Sequence, residues 1–311
     1  MIDRPARIGV LGAGGVGGHY GGTLARAGNA VSFLARGATL EALRRQGLTV
    51  RTPEETFTVR VAAAPNAEDL GPADLVLITV KSYSLPEILP AARLLAERGA
   101  ILLPFLNGVE AADRLVAGGV PKERVLGGLT QISAARVAPG VVERRSPFQR
   151  VTVGELDGGT TERARWVAGL FRGAGAEATV SEDILADLWR KLAFIASMAA
   201  GCGLARSPVG PVRDGPYGRL LFTRAVGEVF AVARARGVAV GEADAEKTLQ
   251  FIDLLEPGIK PSFLLDLEAG GPNELGDLCG AVSRLGREAG VSTPVHDTAT
   301  AALGAIRPRA E

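Results

Sequence analysis

The chain of 311 residues is predicted to fold as an α/β domain with a parallel sheet, followed by an all-helical domain. In residues 1–180, short β-rich segments alternate with helical segments, which is typical of a parallel sheet covered by helices. A run of glycines follows the first β segment. Beyond it, in residues 181–311, apolar residues recur at helical spacing and strand signals nearly vanish. These two ranges are the predicted domains.

The predicted elements of the first domain begin with a strand, a helix and a second strand, in "RIGVLG", "GGHYGGTLARAG" and "NAVSFLAR". A hairpin-like insertion is expected at "LTVRT" and "FTVRVAA". Three continuous apolar runs are typical of central strands buried on both faces: "ADLVLITVKS", "GAILLPFLNG" and "RVLGGLTQIS". Later, partly antiparallel strands are expected at "GVVERRS", "RVTVGE" and "AEATVS".

The composition excludes several classes of partner. The formal net charge is +1 and the charges are dispersed, so neither a nucleic acid nor an anionic membrane is expected to bind. The first residues lack a signal peptide and no segment has about 20 apolar residues, so we expect a cytoplasmic protein. Cys202 and Cys279 are expected to be buried, unreactive thiols. His19 and His296 are expected to be structural, and no metal site is predicted.

The glycines carry the main functional signal. Gly12, Gly14 and Gly17 form GxGxxG between a predicted strand and a predicted helix, which favours a Rossmann-type dinucleotide-binding domain over a tight turn without ligand. The first glycine permits the turn, the second lets a pyrophosphate approach, and the third allows close packing of the helix on the strand. The predicted cofactor-binding turn comprises Gly12, Ala13, Gly14, Gly15, Val16 and Gly17.

The end of the second predicted strand indicates which dinucleotide binds. An NAD site usually has an acidic residue there, whereas this chain has Arg36, whose guanidinium can pair with a 2′-phosphate. Arg36 therefore favours NADP(H). The alternative is a solvated surface arginine in an arginine-rich chain.

Lys191 is one of only five lysines and lies on an apolar face of a predicted helix. The apolar members of that face are Ile184, Leu188 and Ile195. Two interpretations stay open. The lysine either extends to solvent at a domain edge, or is a partly desolvated ammonium that supplies a proton or hydrogen bond to a carbonyl oxygen.

Four further polar residues are candidates. Lys81 and Asn107 end predicted central strands, where α/β folds bind ligands, so Lys81 is expected to face the cofactor and Asn107 a ribose. An Asn-Gly turn explains Asn107 equally well. Asn273 is expected to cap a helix with Glu274 in its first turn, and Ser262 to begin another, which are structural explanations.

The chain resembles the ketopantoate reductases (2-dehydropantoate 2-reductases) along nearly its whole length. The matching segments are "GAGGVG", "TVKSY" at Lys81, "LNGV" at Asn107, "LWRKLAFIA" at Lys191 and "SFLLDLEAGGPNEL" from Ser262 to Glu274. The resemblance implies a helical second domain like the C-terminal domain of 6-phosphogluconate dehydrogenase.

It also implies roles for these residues. The glycine turn would hold the pyrophosphate and Arg36 the 2′-phosphate, while Lys81 and Asn107 would line the nicotinamide end of the site. Lys191 would be the catalytic proton donor. Glu274 would orient the hydroxyl end of the substrate, Ser262 would bind substrate, and Asn107 would border it.

Three positions depart from the family pattern. The family usually has asparagines one and two turns after the lysine and three residues before the serine, where this chain has Ile195, Ala199 and Ile259. The resemblance therefore implies NADPH-dependent reduction of a branched 2-keto acid, most simply 2-dehydropantoate to (R)-pantoate in pantothenate and coenzyme A biosynthesis. The alternatives are a related NADP-dependent hydroxyacid dehydrogenase with a more apolar substrate and a non-catalytic NADP-binding protein. The apolar helices of the second half favour a homodimer.

Overall fold

The computed structural model describes residues 4–306 and divides the chain into two compact units. The first unit comprises the residues up to Leu106 together with Glu110–Ile184, and the second comprises Asn107–Val109 and the residues from Leu185 onward. The first unit contains a parallel sheet with helices and the second is helical, so the predicted fold class is confirmed.

The strands of the described chain all lie in the first unit. They are β1 (Arg7–Leu11), β2 (Ala30–Leu34), β3 (Leu48–Arg51), β4 (Thr56–Val59), β5 (Ala62–Ala64), β6 (Leu75–Ile78), β7 (Ile101–Pro104), β8 (Gly127–Gln131), β9 (Ala134–Ala138), β10 (Val141–Arg144), β11 (Arg150–Gly154) and β12 (Glu177–Ser181). The helices of this unit are α1 (Gly15–Arg26), α2 (Gly37–Gln46), α3 (Leu85–Glu97), α4 (Ala111–Ala117) and α5 (Glu162–Gly173).

The main sheet has the strand order β5-β2-β1-β6-β7, and every pairing in it is parallel. In the register of the central strand, Gly9 lies between Ser32 and Val76. All four residues of β6 are buried, as its continuous apolar sequence predicts. Because the strands are parallel, their carboxyl ends share one edge, which is where α/β folds bind ligands.

Two smaller sheets have the orders β4-β3-β10-β9 and β12-β11-β8. The insertion hairpin is confirmed by the antiparallel pairing of β3 with β4. The interpretation of "RVLGGLTQIS" as a strand like those of the central sheet holds only at its start, where Val125 forms an isolated parallel bridge with Leu102 of β7. The strand that follows, β8, pairs antiparallel with β11 in the three-stranded sheet. Four of its five residues are nevertheless buried, and burial on both faces does not specify the sheet to which a strand belongs. Strand β9 was not predicted, since its short run has no buried face.

The core of the first unit includes Tyr20 and Phe33, both fully buried. The Tyr20 hydroxyl lies 2.6 Å from the hydroxyl of Thr130. His19 is also fully buried, with Nε2 2.6 Å from the Gln149 side-chain oxygen. Burial lowers the pKa of His19 to about 4, so the ring is neutral near pH 7. The structural role predicted for this histidine is therefore confirmed.

The second unit is built from helices α6 (Ile184–Ala205), α7 (Val209–Arg213), α8 (Gly218–Ala235), α9 (Glu242–Asp253), α10 (Ser262–Ala269), α11 (Cys279–Glu288) and α12 (Pro294–Gly304). The buried Glu228 carboxylate accepts hydrogen bonds from the backbone N–H groups of Val295 and His296 at the start of α12, and lies 2.7 Å from Nδ1 of the buried His296. This places a negative charge at a helix N-terminus, where it is stabilising. The second histidine is therefore structural as well.

Both cysteines are buried in the second unit. Burial raises the pKa of the Cys202 and Cys279 thiols to about 12, so neither forms a thiolate near neutral pH. This confirms the expectation of unreactive thiols. Among residues 4–306, no helix has both the length and the apolar character required to cross a bilayer.

We expect Asp74→Asn to reduce the free energy of unfolding by about 1 kcal/mol at pH 7, as for a partly exposed ion pair with good geometry. The Asp74 carboxylate accepts hydrogen bonds from the Arg7 backbone N–H at 2.9 Å, from Arg7 Nη2 at 2.6 Å and from Arg4 Nη2 at 2.9 Å. Although burial alone would raise it, these bonds hold the pKa of Asp74 well below its usual range.

The sign of the pH dependence follows from that lowered pKa. The stabilising contribution is complete above the unfolded-state pKa near ~4 and is lost as the pH falls through the lower folded-state pKa. Urea unfolding of the wild type and Asp74→Asn at several pH values should therefore show curves that converge between about pH 5 and pH 2. A difference that stays constant across this range would contradict the assignment.

Candidate functional site

The glycine turn connects β1 to α1 at the carboxyl edge of the main sheet. Gly12 has φ +122°, a conformation that favours glycine, and its carbonyl accepts a hydrogen bond from the Thr79 hydroxyl at 2.8 Å. A Cβ on Gly17 would lie 2.0 Å from the Gly12 carbonyl oxygen. Gly12 therefore makes the turn, and Gly17 allows α1 to pack closely against it.

The middle of the turn is open. A Cβ on Gly14, the N-cap residue of α1, would meet no atom within 4 Å, and the first turn of α1 contains no acidic residue. The backbone N–H groups at this end of α1 and the positive end of the helix dipole suit a phosphate. The turn formed by Gly12, Ala13, Gly14, Gly15, Val16 and Gly17 therefore fits the pyrophosphate of a dinucleotide.

Arg36 lies between the carboxyl end of β2 and α2, for which it is the N-cap residue. Its side chain is exposed, and the first turn of α2 has no acidic residue that would repel a phosphate. The ribose end of the cofactor-binding edge is therefore cationic in this chain. That charge suits a 2′-phosphate and gives no acceptor for the 2′-hydroxyl of NAD.

Lys81 follows β6 at the same edge of the sheet. It is exposed and is the N-cap residue of the 3₁₀ turn Ser82–Ser84, where its carbonyl accepts a hydrogen bond from the Ser84 N–H at 2.9 Å. Its position at a strand end is as predicted. Thr79, two residues earlier, supports the glycine turn through its bond to Gly12, and this role was not predicted from the sequence. A hydroxyl directly after an apolar strand was the feature that could have indicated it.

The second unit contains a buried acidic residue, Glu274. Glu274 is 4 % exposed, and its Oε2 accepts a hydrogen bond from Asn107 Nδ2 at 3.0 Å. The Glu274 backbone carbonyl accepts bonds from the N–H groups of Asp277 and Leu278, which fixes this residue at the entrance to the 3₁₀ turn Leu275–Asp277. The hydrogen bond from Asn107 therefore fixes the orientation of this buried carboxylate.

The expectation for Glu274 needs correction, and Asn107 has a partner that was not predicted. Glu274 is not in the first turn of an α-helix: it is the N-cap residue of the 3₁₀ turn Leu275–Asp277, and α11 begins only at Cys279. The Asn273 side-chain oxygen accepts a bond from the Leu275 N–H at 3.1 Å. Gly276 within a polar segment makes a continuous helix unfavourable there. Asn107 comes three residues after the end of β7 in the sequence, but it belongs to the helical unit. Its amide therefore orients Glu274, rather than serving the Asn-Gly turn alone.

Lys191 lies on α6 and is half-buried. Loss of water around the ammonium lowers its pKa to about 8, while the charge of Glu274 acts in the opposite direction. Lys191 is therefore close enough to Glu274 to interact with it electrostatically, and Asn107 holds the same carboxylate. The structure brings these three predicted residues together within one unit, with a lysine suited to release a proton near neutral pH.

Ser262 and the three departures from the family pattern also lie in the helical unit. Ser262 is the exposed first residue of α10, as predicted. Ile195 is half-buried and Ile259 is 42 % exposed, with the Ile259 carbonyl accepting a bond from the Val209 N–H. Ala199, in contrast, is fully buried in the core. Ile195 packs against the core with part of its side chain accessible, so of these three positions only the two isoleucines have accessible apolar surface.

Comparison with known proteins shows the family of the chain. The family model of the ketopantoate reductase PanE/ApbA matches residues 8–158, and the model of its C-terminal domain matches residues 183–307. The chain is 34% identical to a 2-dehydropantoate 2-reductase of Halobacterium salinarum and 33% identical to an uncharacterized oxidoreductase, YkpB, of Bacillus subtilis, in both cases over 94% of this chain and 96% of the relative.

Solved structures give the same result. A 2-dehydropantoate 2-reductase from Methylococcus capsulatus superposes with a TM-score of 0.87 at 26% identity, covering 96% of each chain. A D-mandelate dehydrogenase bound to NADH and anilino(oxo)acetate superposes with a TM-score of 0.86 at 21% identity, over 96% of this chain and 97% of that one, which shows the shared fold.

The family models and the relatives identify one group of enzymes. Its members use a nicotinamide dinucleotide, and NADP(H) is the usual form. The chain belongs to the ketopantoate reductase family and is an oxidoreductase that acts on CH–OH groups.

Proposed function

We propose that this protein reduces a branched 2-keto acid with NADPH, most simply 2-dehydropantoate to (R)-pantoate, the reaction that supplies pantothenate and coenzyme A biosynthesis. The observation that carries the proposal is the Lys191 ammonium with its lowered pKa beside the buried, Asn107-bound carboxylate of Glu274. A non-catalytic NADP-binding protein would have no need for a desolvated lysine at this position.

Lys191 is the proton donor in this mechanism. The cofactor, when bound, would supply the hydride for the keto carbon, so that negative charge would develop on the keto oxygen. The Lys191 ammonium stabilises that charge and transfers its proton to the oxygen, which yields the alcohol. A pKa of about 8 leaves the amine mostly protonated at pH 7 and makes the proton easier to transfer than from an ordinary lysine.

Glu274, Asn107 and Ser262 bind and orient the substrate. The Glu274 carboxylate accepts a hydrogen bond from a substrate hydroxyl, while the Asn107 amide keeps the carboxylate in place. The exposed Ser262 hydroxyl at the start of α10 is available to the substrate carboxylate. At the cofactor, the glycine turn binds the pyrophosphate, Arg36 the 2′-phosphate, and Lys81 the nicotinamide side.

A second candidate is a hydroxyacid dehydrogenase of the same mechanism with a more apolar substrate. Ile195 one turn after Lys191, and the exposed Ile259, supply apolar surface where relatives carry amides. A site without such an amide makes one hydrogen bond fewer to the substrate. It therefore discriminates less strongly against substrates that lack the matching hydroxyl. This observation favours good use of 2-keto acids with apolar branches.

Lys191→Ala should reduce kcat by about 10²-fold or more, the usual scale for loss of a positioned proton donor, with little change in NADPH binding. In the wild type, kcat/KM for reduction should be level below about pH 8 and fall above it, because only the ammonium donates a proton.

Lys191→Arg serves as the control for that pH profile. A guanidinium stays protonated throughout, so this variant should be slow but should lack the fall above pH 8. Glu274→Gln should move the fall to lower pH, because the carboxylate raises the pKa of Lys191. Near-normal turnover of a folded Lys191→Ala variant would show that Lys191 is not the proton donor.

The wild type should prefer NADPH to NADH, and Arg36→Ala should lose most of that preference through weaker NADPH binding. Steady-state KM values for both cofactors with one keto acid provide the measurement. Equal use of both cofactors by the wild type would show that Arg36 does not select the 2′-phosphate.

The substrate experiment compares kcat/KM for ketopantoate with kcat/KM for 2-ketoisovalerate, which lacks the hydroxymethyl group. We expect ketopantoate to be reduced with a raised KM and the preference over 2-ketoisovalerate to be modest, with Ile195→Asn and Ile259→Asn increasing it. A preference of about 10⁴-fold in the wild type, the scale of a site dedicated to a substrate hydroxyl, would contradict the apolar pocket. Absence of NADPH oxidation with every 2-keto acid tested would contradict the proposed function itself.

A further inference from the structure

We propose that Arg136 on β9 is a second residue that binds the 2′-phosphate of NADP(H), together with Arg36. The inference deepens the cofactor preference proposed above and concerns only residues of the first unit. Arg136 belongs to none of the motifs that carry the family resemblance, and its strand was not predicted from the sequence.

The position of Arg136 is defined by its contact with α2. Its Nη1 donates a hydrogen bond to the Thr39 hydroxyl at 3.1 Å. Thr39 is the third residue of α2, and Arg36 is the N-cap residue of that helix. The guanidinium of Arg136 therefore contacts the first turn of α2, the helix that begins directly after Arg36.

The course of β9 explains how a distant part of the chain reaches this place. At its start, a Cβ built on Gly15 would lie 2.2 Å from the Ala134 carbonyl oxygen and 2.6 Å from the Ala135 nitrogen. Two residues later, Arg136 contacts the first turn of α2. Strand β9 thus passes the N-termini of both α1 and α2, which follow the carboxyl ends of β1 and β2. In a dinucleotide fold, the pyrophosphate and the adenosine ribose bind at these two helix starts.

The charges at this place suit a phosphate dianion. Arg36 and Arg136 are both exposed, and the first turns of α1 and α2 contain no acidic side chain. The hydrogen bond to Thr39 uses one of the five N–H donors of a guanidinium. That bond holds the group in place while its remaining edge is suited to fork onto phosphate oxygens. Two such groups at the start of α2, together with the positive end of its helix dipole, suit a phosphate.

A purely structural role makes a different prediction. If Arg136 only held α2 against β9, its removal would disturb the ribose end equally for phosphorylated and unphosphorylated cofactors. If it binds the 2′-phosphate, the loss is confined to ligands that carry that phosphate. The two roles are therefore separated by comparing binding of matched ligands, with no need for a keto acid or for turnover.

The experiment measures dissociation constants by calorimetry for NADPH, NADH, adenosine 2′,5′-bisphosphate and 5′-AMP. The proteins are the wild type, Arg136→Ala, Arg36→Ala and the double variant. We expect Arg136→Ala to weaken NADPH and the bisphosphate by about tenfold or more, as for loss of a charge-assisted hydrogen bond. Binding of NADH and 5′-AMP should change by less than about twofold.

Three further variants serve as controls. Arg136→Lys keeps the charge without the fork and should recover part of the loss. Thr39→Val removes the anchor and leaves both arginines, so it should weaken NADPH binding by a smaller factor than Arg136→Ala. Arg124→Ala removes an exposed arginine that bonds to the Gly99 carbonyl before the amino end of β7, and should leave all four constants unchanged. Thermal unfolding identifies any variant that fails to fold.

Equal weakening of NADPH and NADH in Arg136→Ala would overturn the proposal and leave Arg136 as a brace for α2. Unchanged NADPH binding would overturn it as well. Equal affinity of the wild type for NADPH and NADH would show that the protein has no binding site for the 2′-phosphate, which would also overturn the proposal. None of these results depends on keto acid reduction. The proposed reductase activity is tested separately, by measuring NADPH oxidation in the presence of a 2-keto acid.

Discussion

The close approach of α1 to the end of β1 is the constraint on which the cofactor half of the protein depends. With any side chain at Gly17, a Cβ would lie 2.0 Å from the Gly12 carbonyl oxygen and 2.2 Å from the Thr79 hydroxyl. The backbone would have to move, and α1 would no longer present its N-terminus over the strand end. The hydrogen bond from Thr79 to Gly12 ties the turn to β6, so three strands and a helix share one rigid edge.

The catalytic half depends on a different physical principle, the cost of burying charge. Glu274 is almost completely removed from water, and such a carboxylate requires donors. Asn107 supplies one of them, and the charge of Lys191 lies close enough for mutual interaction. Two opposing effects act on the lysine: desolvation lowers its pKa, and the charge of Glu274 limits how far that pKa falls. The combination lowers the pKa of the Lys191 ammonium to about 8.

The residues whose roles were hardest to recognise have polar partners distant in the chain. Asn107 and Glu274 are 167 residues apart, and each has a complete local explanation in the sequence, a turn for one and a cap for the other. Arg136 and Thr39 are 97 residues apart, and the strand that carries Arg136 has no periodic pattern. Strand β8 shows the same limitation for sheets, since an apolar run specifies burial and leaves the choice of partner strand to the tertiary structure.

The sequence by itself determined the features that depend on local chemistry: the glycine turn between a strand and a helix, the change from strand to helical periodicity, the cationic residue after β2, and the position of Lys191 on an apolar helix face. These signals are local because backbone conformation and amphipathic spacing are properties of neighbouring residues. Only the tertiary structure decided that Asn107 orients Glu274, that Glu274 precedes a 3₁₀ turn rather than lying in an α-helix, that Ala199 is buried while Ile259 is exposed, and that β9 brings Arg136 to α2. Hydrogen bonds and burial between distant segments depend on how the chain packs, and packing leaves no periodic trace in the sequence of either partner.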